Sequence, residues 1–373
     1  MRVAILLDQP KGGGAQAVAM AWARQLARNE DEVLLYFFMS GIGAHEEEAQ
    51  HLSTYVYRGS SAITRLIGVP FWTMWRCRKD RPDVLLTVGT YANVSALIGR
   101  QLTRTNILIV ITEHTVPTLF RRFEGKVGRL QALLARSLYR YADAAMSVSH
   151  VAATDLLVRH GLARDKCFVV PNPIIGELSS CHTWANWEKD EPLRVGFVGR
   201  LSPVKRPLLY LRVVAEIRAR GINVVAVVIG DGPLRDAVAA DAKRLGIPLE
   251  LQPWSDHWDS AGLHCVVSTS EIEGLAIILI DATARGIPVA ASSMALGVAD
   301  AVIPGVTGIL APTDDVLDLA GAVIAAAQLA PPNASGWLSR WSIVGSTRSA
   351  RAVLERALAG ASTDGEARRG QSC

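Results

Sequence analysis

Two cations near the middle of the chain stand in a setting that suits phosphate. The segment GRLSPVK at 199–205 follows an apolar run at 194–198 that is typical of a buried strand, and it precedes a predicted helix at 207–220. Arg200 offers a planar fork of donors that matches phosphate oxygens, and Lys205 adds a point charge five residues later. The pattern around Gly199, Arg200 and Lys205 predicts phosphate binding; two solvated surface cations are the alternative.

Two acids and a glycine loop form the most specific pattern in the chain. The segment STSEIEGLA at 268–276 places Glu273 in a predicted strand-to-helix loop, with Gly274, Leu275 and Ala276 at the expected start of the next helix. Free N–H groups at a helix start can hold a phosphate. Asp281 follows Glu273 by eight residues, roughly two helical turns, so both carboxylates can point to one side and accept hydrogen bonds from a sugar diol. A solvated acidic helix start is the alternative.

A glycine turn follows a further predicted strand at 224–229. In the segment GDGP at 230–233, Gly230 and Gly232 permit positive φ and close backbone approach, and Pro233 suits the first position of a helix. The turn is interpreted as part of a ligand site, with a purely structural strand-to-helix turn as the alternative.

An acid and a histidine follow a predicted strand at 107–111 in the first half of the chain. These residues are Glu113 and His114. A lone histidine is more often structural, but its place at a strand end favours a functional role. A dinucleotide-binding dehydrogenase is disfavoured, because no complete G-x-G-x-x-G follows a strand and no acid ends the second predicted strand.

The elements that must position these residues alternate between strand and helix along nearly the whole chain. Such alternation indicates an α/β fold with doubly wound parallel sheets. The pattern is broken by the polar segment that follows the PNP sequence at 171–173 and then restarts, so we expect two domains in tandem. The expected division is residues 1–178 for the first domain, 179–192 for a linker, 193–335 for the second domain, 339–358 for a helix that packs back on the first domain, and 361–373 for a disordered tail.

Ligands of such open sheets bind at the carboxyl ends of the strands, where the strand order reverses. Two Rossmann-like domains that face each other would form a cleft lined by these ends. The candidate phosphate and sugar residues all follow strands, which is the placement that this architecture requires.

Composition narrows the class of protein further. The 373 residues are 50% hydrophobic and 20% charged, which is enough apolar material for two cores. The five cysteines are scattered without a C-x-x-C pair, and neither a signal peptide nor an apolar run of membrane-spanning length is present, so we expect a cytoplasmic protein. Residues 1–180 hold 21 Lys and Arg against 15 Asp and Glu, which suggests an anionic partner such as a membrane surface.

One segment of the first half interleaves aromatic and cationic side chains. It reads FWTMWRCRKDR at 71–81, and a basic stretch at 121–129 follows later in the chain. Such a segment can lie in a membrane interface, so peripheral membrane contact is predicted. A helix with buried tryptophans and a solvated basic face is the alternative. Nucleic acid is excluded as a partner, since no recognised binding motif is present.

These motifs together resemble the group 1 (family 4) retaining glycosyltransferases with the GT-B fold. The family carries G-R-L-x-x-x-K after the first strand of its second domain, then a G-x-G-P turn, an E-G-F-G-like loop with a second glutamate eight residues later, and A-x-x-x-G-x-P-V. The resemblance runs from residue 1 to about residue 329. Here Asp281 replaces the second glutamate, and Leu275 with Ala276 replaces the usual Phe-Gly.

The resemblance implies roles for the matching residues. Arg200 and Lys205, with the amides of Leu275 and Ala276, would neutralise the donor diphosphate as it leaves, so neither a metal nor a cofactor would be required. Glu273 would contact the donor sugar or its phosphate. Asp281 would contact the ribose, and His114 would face the sugar. Glu113 would lie beside His114 on the acceptor side, and Gly13 and Gly14 would belong to the glycine-rich acceptor loop.

The implied activity is transfer of a sugar from a nucleotide-diphosphate donor to a hydroxyl acceptor with retention of configuration. Analogy suggests a lipid-linked or surface-polysaccharide acceptor. Two alternatives stay open at this point. One is a nucleotide-sugar or lipid-carrier binding protein without turnover, which the replacement at Asp281 keeps in view, and the other is a GT-B nucleotide-sugar epimerase.

Overall fold

The chain divides into two compact units. The structure is a computed structural model that describes residues 1–9, 14–39, 52–59, 61–120, 125–174 and 184–370. One unit comprises Met1–Pro173 with Trp341–Cys373, and the other comprises Ile174–Arg340. The change from the first unit to the second thus falls just before the segment that the sequence marked as a linker.

The first unit is built around seven described parallel strands in the order β3-β2-β1-β4-β5-β6-β7. These strands are β1 Arg2–Leu7, β2 Glu32–Phe37, β3 Ser53–Val56, β4 Val84–Val88, β5 Leu108–Glu113, β6 Ala144–Ser147 and β7 Cys167–Val169. The helices are α1 Gly14–Arg28, α2 Ala62–Asp80, α3 Thr90–Thr103, α4 Pro117–Phe120, α5 Lys126–Leu138 and α6 His150–Arg159.

The second unit repeats this plan with six described parallel strands in the order β10-β9-β8-β11-β12-β13. Its strands are β8 Leu193–Val198, β9 Val224–Ile229, β10 Leu249–Gln252, β11 Cys265–Ser268, β12 Val289–Ser292 and β13 Gly308–Ala311. Its helices are α7 Pro207–Ala219, α8 Arg235–Leu245, α9 Ile277–Ala284, α10 Val316–Ala326 and α11 Ser335–Leu338. The two sheets confirm the predicted α/β class with doubly wound, Rossmann-like units.

Alternate residues of each buried strand face opposite layers of helices. In β1, Val3 and Ile5 join a core on one side of the sheet, whereas Ala4 and Leu6 join a core on the other side. Helices cover both faces of a parallel sheet, which is why its strands are apolar throughout rather than alternating. The edge of the sheet at the strand ends is therefore where polar side chains can meet a ligand.

Short-range signals fix the ends of several helices. Ser61 accepts a hydrogen bond from the N–H of Thr64 at 3.1 Å, and the Thr64 hydroxyl accepts one from the N–H of Ser61 at 3.0 Å, which is a capping box at the start of α2. Asp315 caps α10, since its side chain accepts a hydrogen bond from the N–H of Leu317. Gly246 ends α8 in the left-handed conformation.

The final helix, α12 Ile343–Gly370, returns to the first unit. Its residues Ala350, Val353 and Leu354 join the core beneath α1. The indole N–H of Trp22 donates to Ser346 Oγ at 2.8 Å, which ties α1 to α12. The helix continues past residue 361, where the sequence led us to expect a disordered tail.

Among the described residues, no helix is both long enough and apolar enough to cross a bilayer.

Candidate functional site

The second unit has its topological switch point between β8 and β11. These strands are hydrogen-bonded neighbours, but the chain leaves β8 toward β9 and leaves β11 toward β12. Two loops therefore start side by side at the carboxyl edge of the sheet. The Thr269 hydroxyl donates to the carbonyl of Lys205 at 3.0 Å, and the N–H of Glu271 donates to the carbonyl of Val204 at 2.8 Å. These bonds hold the two loops together.

Lys205 and Glu273 meet where these loops join. Lys205 Nζ lies 2.6 Å from Glu273 Oε1, and Glu273 is 6% exposed. A carboxylate this buried needs a charged partner, and the ammonium supplies one. The structure thus brings together two residues that the sequence singled out 68 positions apart.

Arg200 adds a second cation at the same edge. It is exposed in the loop after β8, and within the described residues its guanidinium has no hydrogen-bond or ion-pair partner. Because the charge of Lys205 is compensated by Glu273, Arg200 is the cation of this loop that stays available to an anion.

Gly274, Leu275 and Ala276 lie in the loop before α9 and not in its first turn. The helix begins at Ile277 with Ala276 as its N-cap, so the sequence placed the helix start too early. The loop is buried, and its backbone at Glu273 and Gly274 packs closely against Gly297. Across the described residues, the N–H groups of Leu275 and Ala276 have no acceptor. These two donors stand next to the ion pair and suit an anion.

Gly230 and Gly232 shape the loop that carries Arg200. Their φ angles are +142° and +153°, and an added Cβ would lie 2.0 Å from the carbonyl oxygen of Gly199 and 2.5 Å from that of Leu201, respectively. The turn after β9 therefore runs backbone against backbone with the loop after β8. At Gly199, which has φ +146°, an added Cβ would meet no atom within 4 Å. The geometry thus gives Gly230 and Gly232 a structural role, with α8 beginning at Arg235 rather than at Pro233.

Arg206 joins three loops and was not anticipated from the sequence. It has a left-handed backbone at φ 50°, and its guanidinium donates to the carbonyl of Thr269 at 2.7 Å, to that of Ser270 at 3.1 Å and to Asp314 at 2.8 Å. Its neighbour Lys205 drew attention as the phosphate cation. The role of Arg206 depends on its salt bridge to Asp314, 108 residues away, and no local sequence pattern reveals that pair.

Asp281 lies in a cluster of its own. It accepts hydrogen bonds from Trp258 Nε1 at 3.2 Å and from Arg285 Nε at 3.0 Å, and Arg285 also pairs with Asp259. Asp281 is half-buried, so part of its carboxylate stays open to solvent. The ion pair with Arg285 fixes the direction of the Asp281 carboxylate, and its contact with a ribose stays a prediction.

Gly297 packs directly against the acid loop. A Cβ added to Gly297 would lie 2.2 Å from the carbonyl oxygen of Glu273 and 2.9 Å from that of Gly274. Both contacts are with backbone atoms, which cannot rotate away as a side chain would. Gly297 therefore sets the position of the Glu273 loop.

Replacing Gly297 with alanine is expected to lower kcat for the predicted sugar transfer by about 100-fold, since the Glu273 loop must shift by around an ångström to admit the methyl group. Steady-state kinetics of the purified variant measures this change. Gly336→Ala is the matched control, because an added Cβ there meets nothing within 4 Å. Equal activity of the Gly297 variant and this control would contradict the assigned role.

Glu113, the last residue of β5 in the first unit, is buried at the strand end. It is 1% exposed and accepts hydrogen bonds from the hydroxyls of Tyr139 at 2.7 Å, Thr115 at 3.1 Å and Thr90 at 3.2 Å. Burial raises the pKa of Glu113 to about 7. The sequence grouped Glu113 with acceptor-binding residues. In the structure three hydroxyls donate to its oxygens, two of them from distant segments, and its contact with an acceptor stays a prediction.

His114, at the same strand end, has a ring nitrogen without a hydrogen-bond partner among the described residues. Its Nε2 lies 3.2 Å from the Thr112 hydroxyl, whereas its buried Nδ1 has no hydrogen-bond partner in the described part of the chain. The ring packs near Trp22 at 6.3 Å between centroids. Burial lowers the pKa of His114 to about 4, so the imidazole is neutral at pH 7. Of the expected acceptor loop, Gly14 is the exposed first residue of α1, and Gly13 lies outside the described residues.

The Glu113→Gln variant is expected to gain stability relative to the parent protein as pH rises. The folded pKa of about 7 exceeds the ordinary value of 4.5, so this group's contribution is fully present below pH 4.5 and is lost as pH rises to 7. The difference amounts to about 3 kcal/mol. Urea unfolding of both proteins at pH 4.5 and pH 8 measures it.

The opposite pH dependence of His114 is common to both proteins and cancels in this comparison. Its folded pKa is lowered, so it destabilises the native state as pH falls from 6.5 to 4. Glu250→Gln is the control, because hydrogen bonding to Arg194 lowers the pKa of Glu250, whereas burial raises that of Glu113. A pH-independent difference between the parent and the Glu113 variant would contradict the raised pKa.

Two family models match the two units in turn. The model of Glycosyltransferase Family 4 matches residues 12–175, and the model of Glycosyl transferases group 1 matches residues 192–328. Together with the two parallel sheets, the switch-point loops and the paired Lys205 and Glu273, these matches identify the class. The chain belongs to the glycosyltransferases with the GT-B fold.

Two curated proteins illustrate the relationship. The chain is 24% identical over 331 residues, 86% of this chain and 87% of the other, to GalNAc-alpha-(1->4)-GalNAc-alpha-(1->3)-diNAcBac-PP-undecaprenol alpha-1,4-N-acetyl-D-galactosaminyltransferase of Campylobacter jejuni. It is 34% identical over 157 residues to D-inositol 3-phosphate glycosyltransferase of Kribbella flavida. That second match spans 37% of this chain and 36% of the relative, about a third of its length.

Solved structures agree with this fold. The lipopolysaccharide outer core galactosyltransferase WaaB in its apo form superimposes with a TM-score of 0.78 at 17% identity, over 95% of this chain and 99% of that one. HepE of Anabaena in complex with UDP and glucose gives a TM-score of 0.74 at 19% identity, over 95% and 100% of the two chains. At such identities, the two structures establish the fold alone.

Proposed function

We propose that the chain transfers a sugar, with retention of configuration, from a nucleotide-diphosphate donor to a hydroxyl acceptor. One observation carries the proposal: Lys205, Arg200 and the unpaired N–H groups of Leu275 and Ala276 lie in two adjacent loops at one strand edge of the second unit. Two cations and two amides suit a diphosphate. Acceptor recognition is assigned to the first unit through the family resemblance.

The chemical role of this cluster would be to stabilise the leaving group. When the bond between the anomeric carbon and the diphosphate oxygen breaks, negative charge grows on the phosphate. The acceptor oxygen forms the new bond to the anomeric carbon, and its proton passes to the departing phosphate oxygen. Donors already held in place cost little reorganisation as that charge develops, so they lower the barrier. Lys205 and Arg200 would supply this charge without a metal ion, and transfer is expected to persist in EDTA.

The relatives suggest which substrates to test first. HepE of Anabaena was solved with UDP and with UDP-glucose, which makes UDP-sugars the first donors to try. The name of the Campylobacter jejuni relative contains a PP-undecaprenol saccharide, which supports a lipid-linked or surface-polysaccharide acceptor. An enzyme that meets such an acceptor would work in the cytoplasm, peripherally on the membrane.

Release of nucleoside diphosphate from a panel of UDP-, GDP- and ADP-sugars tests the proposal. We expect release from one donor, stimulated by a lipid-linked or polysaccharide acceptor and unchanged by EDTA. Proton NMR of the product then gives the anomeric configuration, which should match that of the donor.

Other outcomes would overturn the proposal. Donor binding without release, with each acceptor present, would indicate a binding protein without turnover. Return of an epimerised sugar nucleotide would indicate an epimerase. A product with inverted configuration would leave transfer standing and contradict retention.

A further inference from the structure

The His114 imidazole is held by two neighbours within the first unit. Its Nε2 lies 3.2 Å from the Thr112 hydroxyl oxygen. The ring also packs near the Trp22 indole, whose N–H donates to Ser346 Oγ at 2.8 Å and which is therefore itself fixed. The direction of the hydrogen bond between Thr112 and His114 decides which ring nitrogen carries the proton. It thereby decides what the ring offers to a ligand.

Thr112 has one hydroxyl hydrogen, and a carbonyl group already accepts it. Thr112 is 1% exposed, and its hydroxyl donates to the carbonyl of Thr87 at 3.0 Å across the β4–β5 pair. A hydroxyl has one hydrogen to donate and two lone pairs that accept, so Thr112 can bond to His114 only as an acceptor. His114 Nε2 must then be the donor, which places the proton of the neutral imidazole on Nε2.

The second ring nitrogen gives the same assignment independently. His114 Nδ1 is buried and makes no hydrogen bond within the described residues. A proton on Nδ1 would be a buried donor without an acceptor, and the Thr112 hydroxyl would have to turn from Thr87 to the ring. Burial lowers the pKa of His114 to about 4, so the ring carries a single proton at pH 7. The bare nitrogen is therefore Nδ1.

The strand separates this pair from the carboxylate that lies between them in sequence. Side chains alternate along a strand, so Thr112 and His114 point to one face of the sheet and Glu113 points to the other. Val110, two residues before Thr112, belongs to the core beneath α1. Tyr139, which donates to Glu113, belongs to the core on the other face. The imidazole therefore takes its orientation from Thr112 and not from the neighbouring acid.

We propose that Thr112 is a positioning residue, which holds His114 with its proton on Nε2 and leaves Nδ1 to accept a hydrogen bond from a hydroxyl of the saccharide substrate. A bare ring nitrogen accepts a hydrogen bond and cannot give one, so the ligand group that meets it is a donor and not a phosphate or carboxylate oxygen. The ring is half-buried at the carboxyl end of β5, where ligands of such sheets bind. The inference rests on the proposed function, because a sugar substrate is what would bring this hydroxyl.

Nitrogen NMR of the histidine rings tests the tautomer without any donor or acceptor. In protein labelled with 15N at histidine, protonated and bare ring nitrogens resonate far apart, and couplings to the ring hydrogens distinguish Nδ1 from Nε2. The chain has eight histidines, and the signals of His114 are those that disappear in a His114→Gln protein. At pH 7 we expect a protonated Nε2 and a bare Nδ1. A proton on Nδ1 in the parent protein would overturn the proposal.

Three threonine substitutions separate positioning from packing. Thr112→Val keeps the shape of the side chain and removes the acceptor, so the two tautomers of His114 should become mixed and kcat for transfer should fall about tenfold. Thr112→Ser retains the hydroxyl and should match the parent protein in both measurements. Thr73→Val is the matched control, because it removes a fully buried hydroxyl on α2 that makes no hydrogen bond within the described residues. It should change neither the tautomer of His114 nor kcat.

The two readouts together decide the role of Thr112. A lower kcat in Thr112→Val with the parent tautomer would mean that Thr112 only packs, and it would overturn the proposal. A changed tautomer with parent-like kcat would overturn it as well. Urea unfolding of each variant ensures that folded proteins are compared.

The tautomer and the transfer reaction can also fail separately. A proton on Nε2 in a chain that releases no nucleoside diphosphate from any UDP-, GDP- or ADP-sugar would support the assignment of the ring and contradict the proposed transfer. Transfer by a chain with the proton on Nδ1 would do the reverse.

Discussion

Lys205→Ala is expected to lower kcat for sugar transfer by about 100- to 1000-fold, the loss typical when one preorganised charge donor at a developing anion is removed. Lys205 Nζ is 2.6 Å from Glu273 in the protein without donor. A diphosphate placed beside Leu275 and Ala276 would compete for that ammonium. Lys205 is thus paired with a carboxylate in the absence of donor and would exchange that partner for phosphate when the donor binds.

The partner substitution should behave differently, which makes the pair informative. Glu273→Gln removes the competing carboxylate but keeps the size of the side chain. Lys205 is then free to bind diphosphate, so we expect a lower Kd for the nucleoside diphosphate product. If Glu273 also contacts the donor sugar, kcat falls as well. Tighter product binding together with a slower transfer would show that the acid acts on the sugar rather than on the phosphate.

Stability must be measured beside activity in these variants. Glu273 is buried, so removal of Lys205 leaves a carboxylate without its charged partner, at a cost of a few kcal/mol. Urea unfolding separates this loss from a catalytic one. Lys243→Ala is the matched control, since Lys243 is exposed on α8 away from the strand ends. Parent-like kcat in a folded Lys205→Ala protein would contradict the assignment.

Much of the second-unit site follows from sequence because its signals are local. The apolar runs of β8 and β11 predict buried parallel strands, and a loop with charged residues directly follows each run. Once the order of the sheet places these strands side by side, Lys205 and Glu273 must lie near each other. The expectation needed no knowledge of side-chain packing, so it could be made from strand positions alone.

Other parts of the site depend on contacts between distant segments. Arg206 owes its role to Asp314, and Gly297 owes its role to the carbonyl of Glu273, but neither relation leaves a trace in local composition. The hydrogen bonds of Glu113 likewise come from segments that local composition does not reveal. Hydroxyls from other segments, such as that of Tyr139, donate to this acid at the strand end.

The start of the helix after Glu273 shows why boundaries are harder to predict than elements. Gly274 and the two residues after it have no strong signal against a helix, and the sequence placed them in its first turn. In the structure the backbone of Glu273 and Gly274 packs closely against Gly297 instead, and α9 begins at Ile277. Tertiary packing overrides local preference at this point.

Gly230→Ala is expected to destabilise the second unit strongly. The methyl group would lie 2.0 Å from the carbonyl oxygen of Gly199, and the φ of +142° is a region that residues with a side chain rarely adopt. Overlap with a fixed backbone atom and backbone strain act together. We expect a loss of about 3 kcal/mol or more in the free energy of unfolding, measured by urea denaturation.

Gly246→Ala separates the two causes. Gly246 also has a positive φ, +65°, but an added Cβ there meets nothing within 4 Å. Its substitution should cost about 1 kcal/mol, the strain of a left-handed residue without any overlap. If the two variants lose equal stability, the contact between the β8 and β9 loops is not what requires a glycine. A much larger loss at Gly230 would mean that the loop carrying Arg200 is held in place by backbone contact, which is the rigidity that a preorganised phosphate site needs.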